Sequence, residues 1–297
     1  MDKDTFFYKK HTIACKGKII NIETPIVMGI LNITPDSFFD GGRYLDKDNI
    51  LARVGKLFAE GATVIDIGAY SSRPGADDVP EKLEIDRLGY ALGFIRERFP
   101  DAVLSVDTFR AEVASKVINN FGVDIINDIS AGAVEPEIID VVAENGVPYI
   151  AMHMQGTPQT MQKNPVYRHV VQDILEYFVD KLSFLRSKGI TDIIIDPGFG
   201  FGKTLEQNYQ LLGGLEAFKM LEVPVLAGLS RKSFIYRLLG TTPDGALTGT
   251  IALNLVALQK GASLLRVHDV REAVETISIF KKLTGESEKS LNLLTQL

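Results

Sequence analysis

The chain has 297 residues, 45% hydrophobic and 24% charged, with a net charge of −6. That balance suits a globular protein with a sizeable core, and the acidity excludes a general affinity for nucleic acid or an anionic membrane, which needs a basic face. A single cysteine, Cys15, excludes an intrachain disulfide and a cysteine-based zinc site. The polar start Met1-Asp2-Lys3-Asp4 leads into no apolar signal region, and no segment has the length and apolarity of a membrane span. The expectation is a cytoplasmic protein with no nucleic-acid or membrane partner.

In chain order, residues 6–24 hold two alternating runs around Lys16-Gly17-Lys18, which predicts a β-hairpin with Cys15 as a small buried side chain. Eight short β-branched runs follow: Ile26–Ile30, Thr63–Ile67, Val103–Asp107, Asp124–Asn127, Pro148–Met152, Asp192–Asp196, Val223–Ala227 and Ser263–Val267. Helical stripes lie between them. Leu51, Val54, Leu57 and Phe58 form one, and Leu83, Leu88, Leu92 and Ile95 a second. Further stripes run from Val170 to Leu185, from Ala246 to Leu258, and through Val270, Ala273, Val274 and Ile277. Strand and helix alternating eight times predict an α/β fold, a (β/α)8 TIM barrel. A doubly wound open sheet is the rival; the even count and the lack of an obvious switch point favour the barrel. The hairpin is expected to close the N-terminal mouth. The barrel spans about 26–284 in a single domain, and Gly285–Leu297 reads as a loosely ordered tail.

In such a barrel, chemistry gathers where the strands end. Polar residues fall there throughout: Asn32, Asp66, Asp107, Asn127 with Asp128, His153, Asp196, Ser230-Arg231-Lys232, and Arg266 with His268. Any one could cap a strand; their convergence on one rim points to a site. The long segments 32–42 and 69–76 have no helical period and read as binding loops. Asp196-Pro197-Gly198-Phe199-Gly200-Phe201-Gly202-Lys203-Thr204 ends like a phosphate loop. Its Gly-x-x-x-Gly-Lys is one residue too short for a nucleotide-hydrolase motif, so its glycines are expected to let the backbone approach a ligand. No glycine fingerprint opens a first βαβ unit, which excludes a dinucleotide site.

Met28-Gly29-Ile30-Leu31-Asn32-Ile33-Thr34-Pro35-Asp36-Ser37-Phe38 resembles the first signature of the dihydropteroate synthases, and Ser72-Arg73-Pro74-Gly75-Ala76 the second. Ser105-Val106-Asp107-Thr108, Ile126-Asn127-Asp128-Ile129, Met152-His153-Met154, Asp196–Phe201, Ser230–Ser233 and Arg266–Asp269 follow in family order, so the resemblance covers about 26–280. One departure stands in the second loop, where the family commonly has Gly-Glu-Ser-Thr-Arg-Pro-Gly. Here Tyr70 replaces the acid, and Ser72 keeps the hydroxyl expected of Thr.

The resemblance implies a transferase of folate biosynthesis that joins 6-hydroxymethyl-7,8-dihydropterin diphosphate to p-aminobenzoate. It implies Asp107, Asn127, Asp196 and Lys232 against the pterin, and Ser72, Arg73, Arg266 and His268 around the diphosphate. Phe38, Pro74, Phe199 and Ser233 would then surround p-aminobenzoate, and Asn32 would hold a Mg²⁺ bridging the phosphates. Asp107, Lys232, Asn32 and Arg73 are the implied catalytic set. Further implications are an SN1-like course, pterin diphosphate binding first, competition by sulfonamides, and a homodimer through roughly 245–280. His153 is assigned to support of the site or to packing; His11 and His169 read as surface or structural. A methyltetrahydrofolate methyltransferase would share Asp107, Asn127 and Asp196 but would not need the anion set. A catalytically silent pterin-binding protein would not need every catalytic position filled.

Overall fold

The structure is a computed structural model; it describes residues 11–15, 17–33, 39–40, 44–70, 79–156 and 165–285. β1 (Thr12–Cys15) and β2 (Lys18–Asn21) form the expected antiparallel hairpin. β3 (Ile26–Asn32) starts the main sheet. β4 (Phe39–Asp40) and β5 (Tyr44–Leu45) form a small antiparallel pair inside the first long loop, which its sequence did not announce. The main sheet continues with β6 (Val64–Gly68), β7 (Leu104–Asp107), β8 (Ile125–Asp128) and β9 (Tyr149–Met152). It ends with β10 (Ile193–Asp196), β11 (Leu226–Ala227) and β12 (Leu264–Val267).

These eight strands are parallel, in the order β10-β9-β8-β7-β6-β3-β12-β11. The two ends meet through a parallel bridge between Ile195 and Val225, with the Ile195 amide donating to the Pro224 carbonyl at 3.0 Å. The sheet therefore curls into a nearly closed barrel, and the open doubly wound alternative is removed. β11 is shorter than the predicted 223–227 because Pro224 has no amide hydrogen to give to a neighbour.

Helices cover the outside. Lys47–Ala59 starts on Asp46, whose carboxylate accepts from the amides of Asp48 and Asn49. Leu205–Gly213 starts on a capping box between Thr204 and Gln207. Glu81–Arg98 corrects one expectation. Leu83 is 40% exposed, and the inward stripe is Glu84, Leu88, Ala91, Leu92 and Ile95. A buried carboxylate in that stripe is tolerable because Arg110 and Thr108 both donate to it, at 2.7 and 2.8 Å. Val170–Ser187, Leu247–Gln259 and Val270–Thr284 match their predicted stripes. Ala111–Phe121, Glu137–Asn145 and Ser233–Leu238 add helices the stripes did not pick out.

Two cores result. One lies between strands and helices and is built from outward residues such as Ile65, Ile126, Ile195 and Leu265. The other lies inside the barrel bottom, where Met28, Val64, Ile150 and Leu264 meet Ile13, Cys15, Ile20 and Ile22 from the hairpin segment. The Ala14 amide donates to Asp192 Oδ1 at 3.1 Å and Lys18 Nζ to the Asp101 carbonyl at 2.9 Å, tying the hairpin under the strands. Burial first, then the carboxylates of Asp124 and Asp192, push the Cys15 thiol up to about 12, so it is an inert filler. Among the described residues, no helix is long and apolar enough to cross a membrane.

Candidate active site

Side chains alternate along a strand, so each inward position is followed two residues later by another. At the bottom of the barrel these positions are apolar: Val64, Ile125, Ile194, Leu264. One step up they are Asp66, Asn127, Asp196 and Arg266; Ser105 leads likewise to Asp107. Register brings them level. Asn32 lies opposite Gly68, Gly68 opposite Asp107, and Asp107 opposite Asn127. The polar residues singled out in the sequence therefore share the upper interior of one barrel.

Arg266 organises one side of this interior. Its Nε donates to Asp66 Oδ2 at 2.6 Å and its Nη2 to Asp107 Oδ2 at 2.7 Å. Asn127 Nδ2 donates to the same Asp66 oxygen at 3.0 Å. Asp66 is fully buried, and its Oδ1 has no hydrogen-bond partner among the described residues. Burial works against the Arg266 charge, but Asp66 and Asp107 more than offset it and hold its pKa above the usual guanidinium value. Asp107 is pushed up to about 7: desolvation raises it, Arg266 opposes, and the charges of Asp66, Glu84 and Asp128 add to the rise. One guanidinium is shared between two carboxylates, so it cannot fully neutralise either.

Asp196 and Lys232 form the other side. Asp196 Oδ1 accepts from the Gly198 amide at 2.7 Å. Desolvation raises its pKa, while Lys232, the Gly198 amide, Arg266 and Lys203 work the other way. Lys232 donates to the Phe199 carbonyl and lies 4.6 Å from the Phe201 ring centre. Burial lowers its pKa to about 8, against the pull of Asp196. Its direction is set by its neighbour Arg231, which sits at φ +56°. That left-handed conformation costs a non-glycine residue roughly 1–2 kcal/mol. It is held by a two-pronged pair with Asp269, at 2.7 and 3.0 Å, and by Asp244 at 2.9 Å.

The remaining expected residues fall as follows. Asn32 ends β3, half-buried, and its side chain makes no hydrogen bond to another described residue. Gly68 beside it leaves room between Asn32 and Asp107: a Cβ there would stand 3.6 Å from Asn32 Oδ1 and 3.7 Å from Asp107 Cβ. A lone amide oxygen suits Mg²⁺ carried mostly by phosphate and water. Among the described residues no cluster of three His, Cys, Asp or Glu could hold a metal by itself. His268 follows β12 with Nδ1 3.1 Å from Ser230 Oγ. Ser233 is the first residue of its helix, half-buried beside Lys232. His153 is buried against Tyr177, with Nδ1 3.2 Å from Lys203 Nζ. Phe38, Ser72, Arg73 and Pro74 lie outside the described residues.

Two placements correct the sequence reading. The Phe199 side chain is 0% exposed within the outer core, so it presents no ring to a ligand; its carbonyl reaches Lys232 and Phe201 supplies the half-buried ring. Arg266, expected with the diphosphate set, stands among the carboxylates expected to bind the pterin. Asp66 was seen at a strand end but given no role; its inward position, two residues above Val64, was the available signal. Asp128, adjacent to Asn127, points outward and is consumed by Ser130, Gly132 and Tyr149. At the family departure, the Tyr70 ring meets Phe109 edge-on at 5.2 Å, with the Arg110 guanidinium 5.5 Å away.

Inward acceptors above an apolar floor, with the fixed donors of Lys232 and Arg266 beside them, suit a flat polar ring carrying an anionic group. The comparisons agree. The pterin binding enzyme family matches residues 28–268. The chain is 44% identical over 267 residues to the dihydropteroate synthase of Haemophilus influenzae, spanning 89% of this chain and 96% of that one. It is 39% identical over 275 residues to that of Escherichia coli K12, spanning 92% and 96%. The Yersinia pestis dihydropteroate synthase with a sulfonamide drug superposes with TM-score 0.86 at 40% identity, covering 92% of this chain and 99% of that one. The Xanthomonas albilineans enzyme with 4-aminobenzoic acid gives 0.85 at 39%, over 93% and 99%. The same enzyme with 7,8-dihydropteroate gives 0.80 at 36%, over 92% and 98%. The chain belongs to the dihydropteroate synthase family of pterin-binding enzymes.

Proposed function

We propose that this chain condenses 6-hydroxymethyl-7,8-dihydropterin diphosphate with p-aminobenzoate to give 7,8-dihydropteroate and pyrophosphate, a transferase step of folate biosynthesis. The observation that carries this reading is the inward cluster of Asp66, Asp107, Asn127, Asp196, Lys232 and Arg266 above an apolar floor. The relatives' complexes with 4-aminobenzoic acid and 7,8-dihydropteroate support it.

In this reading Asp196 accepts from the ring's amino and N–H donors, and the Asn127 amide both donates and accepts. A pocket of buried polar groups rejects ligands that leave them unpaired. Lys232 donates to ring acceptors. Arg266 lies between ring and leaving group, with Arg73, Ser72 and His268 receiving the diphosphate. Asn32 would hold the Mg²⁺, which neutralises phosphate charge when bound.

The bond between the exocyclic methylene carbon and the diphosphate oxygen breaks first, and its electron pair leaves with pyrophosphate. The resulting pterin cation is stabilised by the nearby Asp107 carboxylate, fixed in place by Arg266 before the charge appears. The amine lone pair of p-aminobenzoate then forms the new C–N bond, and the nitrogen loses a proton. Phe201, half-buried where Phe199 is buried, would offer its ring to the second substrate, and Ser233 would meet the carboxylate.

A homodimer through the late helices fits the surface. Ile279 and Leu283, one turn apart on Val270–Thr284, are 56% and 64% exposed. A cytoplasmic location fits the buried, unpaired Cys15 and the acidic charge.

The test mixes purified protein with both substrates and Mg²⁺ and measures pyrophosphate and dihydropteroate together. Equal yields that require both substrates are expected. Tight binding of the pterin diphosphate with no product would instead mark a silent pterin-binding protein, and failure to bind it would remove the reading.

A further inference from the structure

Lys203 belongs to no group in the mechanism, yet it is a lysine only 3% exposed inside the barrel wall. Its Nζ donates to the Gly198 carbonyl at 2.9 Å and the Phe201 carbonyl at 2.9 Å, and lies 3.2 Å from His153 Nδ1. A charged lysine has three donor hydrogens and no acceptor. Burial lowers the Lys203 pKa to about 7, against the pull of Asp196; in its charged form three acceptors surround it, which pairs it with a neutral His153 whose proton is on Nε2. Burial first, and Lys203 next, lower the His153 pKa to about 3, in keeping with that assignment.

The segment that Lys203 grips follows β10 and touches both Asp196 and Lys232. Gly198 and Gly200 sit at φ +73° and +79°, which favour glycine, and a Cβ at 198 would overlap the His153 carbonyl. The carbonyls between them are held in turn. Lys203 takes Gly198 and Phe201, Lys232 takes Phe199, Tyr167 takes Gly202 at 2.9 Å, and Asn208 takes Thr204 at 2.6 Å. The Gly198 amide in turn orients Asp196. Inside the run the Phe201 amide donates to the Gly198 carbonyl at 3.1 Å; the remaining carbonyls depend on these side-chain partners. Lys203 supplies two of them and a positive charge behind the Asp196 carboxylate.

We propose that Lys203 is a positioning residue: by gripping the 198–201 backbone from behind, it fixes Asp196 and Lys232 in the orientation that receives the pterin ring. It touches no substrate. Lys232 reaches the ligand; Lys203, joined to it through Phe199, Gly198 and Phe201, sets where it points. This rests on the function proposed above.

The experiment uses the full chain with Lys203→Met, which keeps length and removes all donors, and Lys203→Gln, which keeps a donor without charge. Calorimetric binding of the pterin diphosphate and steady-state kinetics are measured for both. A 1 Å displacement of positioned groups is worth up to about a hundredfold. Lys203→Met is expected to weaken pterin diphosphate binding by at least about tenfold, with Lys203→Gln between it and wild type. In a Lys232→Met background the same change should cost clearly less than in wild type, because part of its effect acts through a group already removed. Full additivity, or a Lys203→Met protein equal to wild type in both readouts, would overturn the proposal.

A measurement on wild-type protein stands beside these in case neither variant folds. ¹⁵N NMR should show His153 neutral, with Nδ1 unprotonated, from about pH 5.5 to 7, where Lys203 carries its charge. A His153 carrying its proton on Nδ1, or titrating in that range, overturns the donor count and with it the proposal. Wild-type protein that neither binds nor turns over the pterin diphosphate would remove the functional reading instead, leaving the His153 result to be judged by itself.

Discussion

Asp107 faces two opposed demands. Its carboxylate must be ionised to hold a cation, yet burial and the neighbouring charges of Asp66, Glu84 and Asp128 favour the proton, and its pKa stands near 7. In the proposed mechanism ionised Asp107 is the competent form, so activity is expected to be lost on the acid side. kcat/KM for the pterin diphosphate should fall roughly tenfold per pH unit below about pH 7. In Asp107→Asn that limb should disappear and kcat should drop by about a hundredfold or more. A flat profile from pH 5 to 8 in wild type, measured by pyrophosphate release, would show that Asp107 does not set the limb. The charges of Asp66 and Arg266 act on Asp107 within one cluster, so the limb reflects that surrounding charge as well as the carboxyl itself. Strand-end chemistry was readable in the sequence because it alternates with apolar floor residues, as Val64 does with Asp66. Which inward residues touch one another was not. The sharing of Arg266 between Asp66 and Asp107 joins strands far apart in the chain, and no spacing encodes it. Phe199 misled because a glycine-flanked aromatic looks exposed, whereas the left-handed turns at Gly198 and Gly200 roll its ring into the core.

At the scale of elements, the hairpin is the clearest debt of fold to local pattern. The alternation in β1 and β2 places Ile13, Cys15 and Ile20 on one face, and that face seals the barrel floor. Ile13 is 1% exposed. Ile13→Ala should cost about 2–5 kcal/mol by transfer and cavity terms. Urea denaturation should show the loss while KM for either substrate stays near the wild-type value. Unchanged stability would mean that the hairpin is not part of the cooperative core. The helix Glu81–Arg98 was placed correctly, but its face was misjudged by one residue. Leu83 is apolar and Glu84 is not, so hydrophobicity pointed to Leu83. Only the tertiary partners Arg110 and Thr108 make Glu84 the inward residue. The short helix Ser233–Leu238 escaped notice because six residues give less than two full turns of pattern.

For the molecule as a whole, eight repeats of strand and helix made the barrel legible, and closure itself rests on one bridge at Val225 that a proline leaves short. The proposed dimer is argued in a different way, from what remains apolar once the barrel is built. Leu247–Gln259 carries apolar residues around much of its circumference, including the part-exposed Ile251, Leu253 and Val256. Beside it, Ile279 and Leu283 face outward. Sedimentation velocity at micromolar concentration should show a dimer that Ile279→Asp together with Leu283→Lys converts to monomer. Monomeric wild type would remove the dimer. The sealed floor has a last consequence, for traffic. A barrel plugged below is a well open at one end, so on the proposed function both reactants and the product would share one mouth. One cover over that mouth is therefore enough to shut out water, and a leak through the floor would defeat it however well the cover closed.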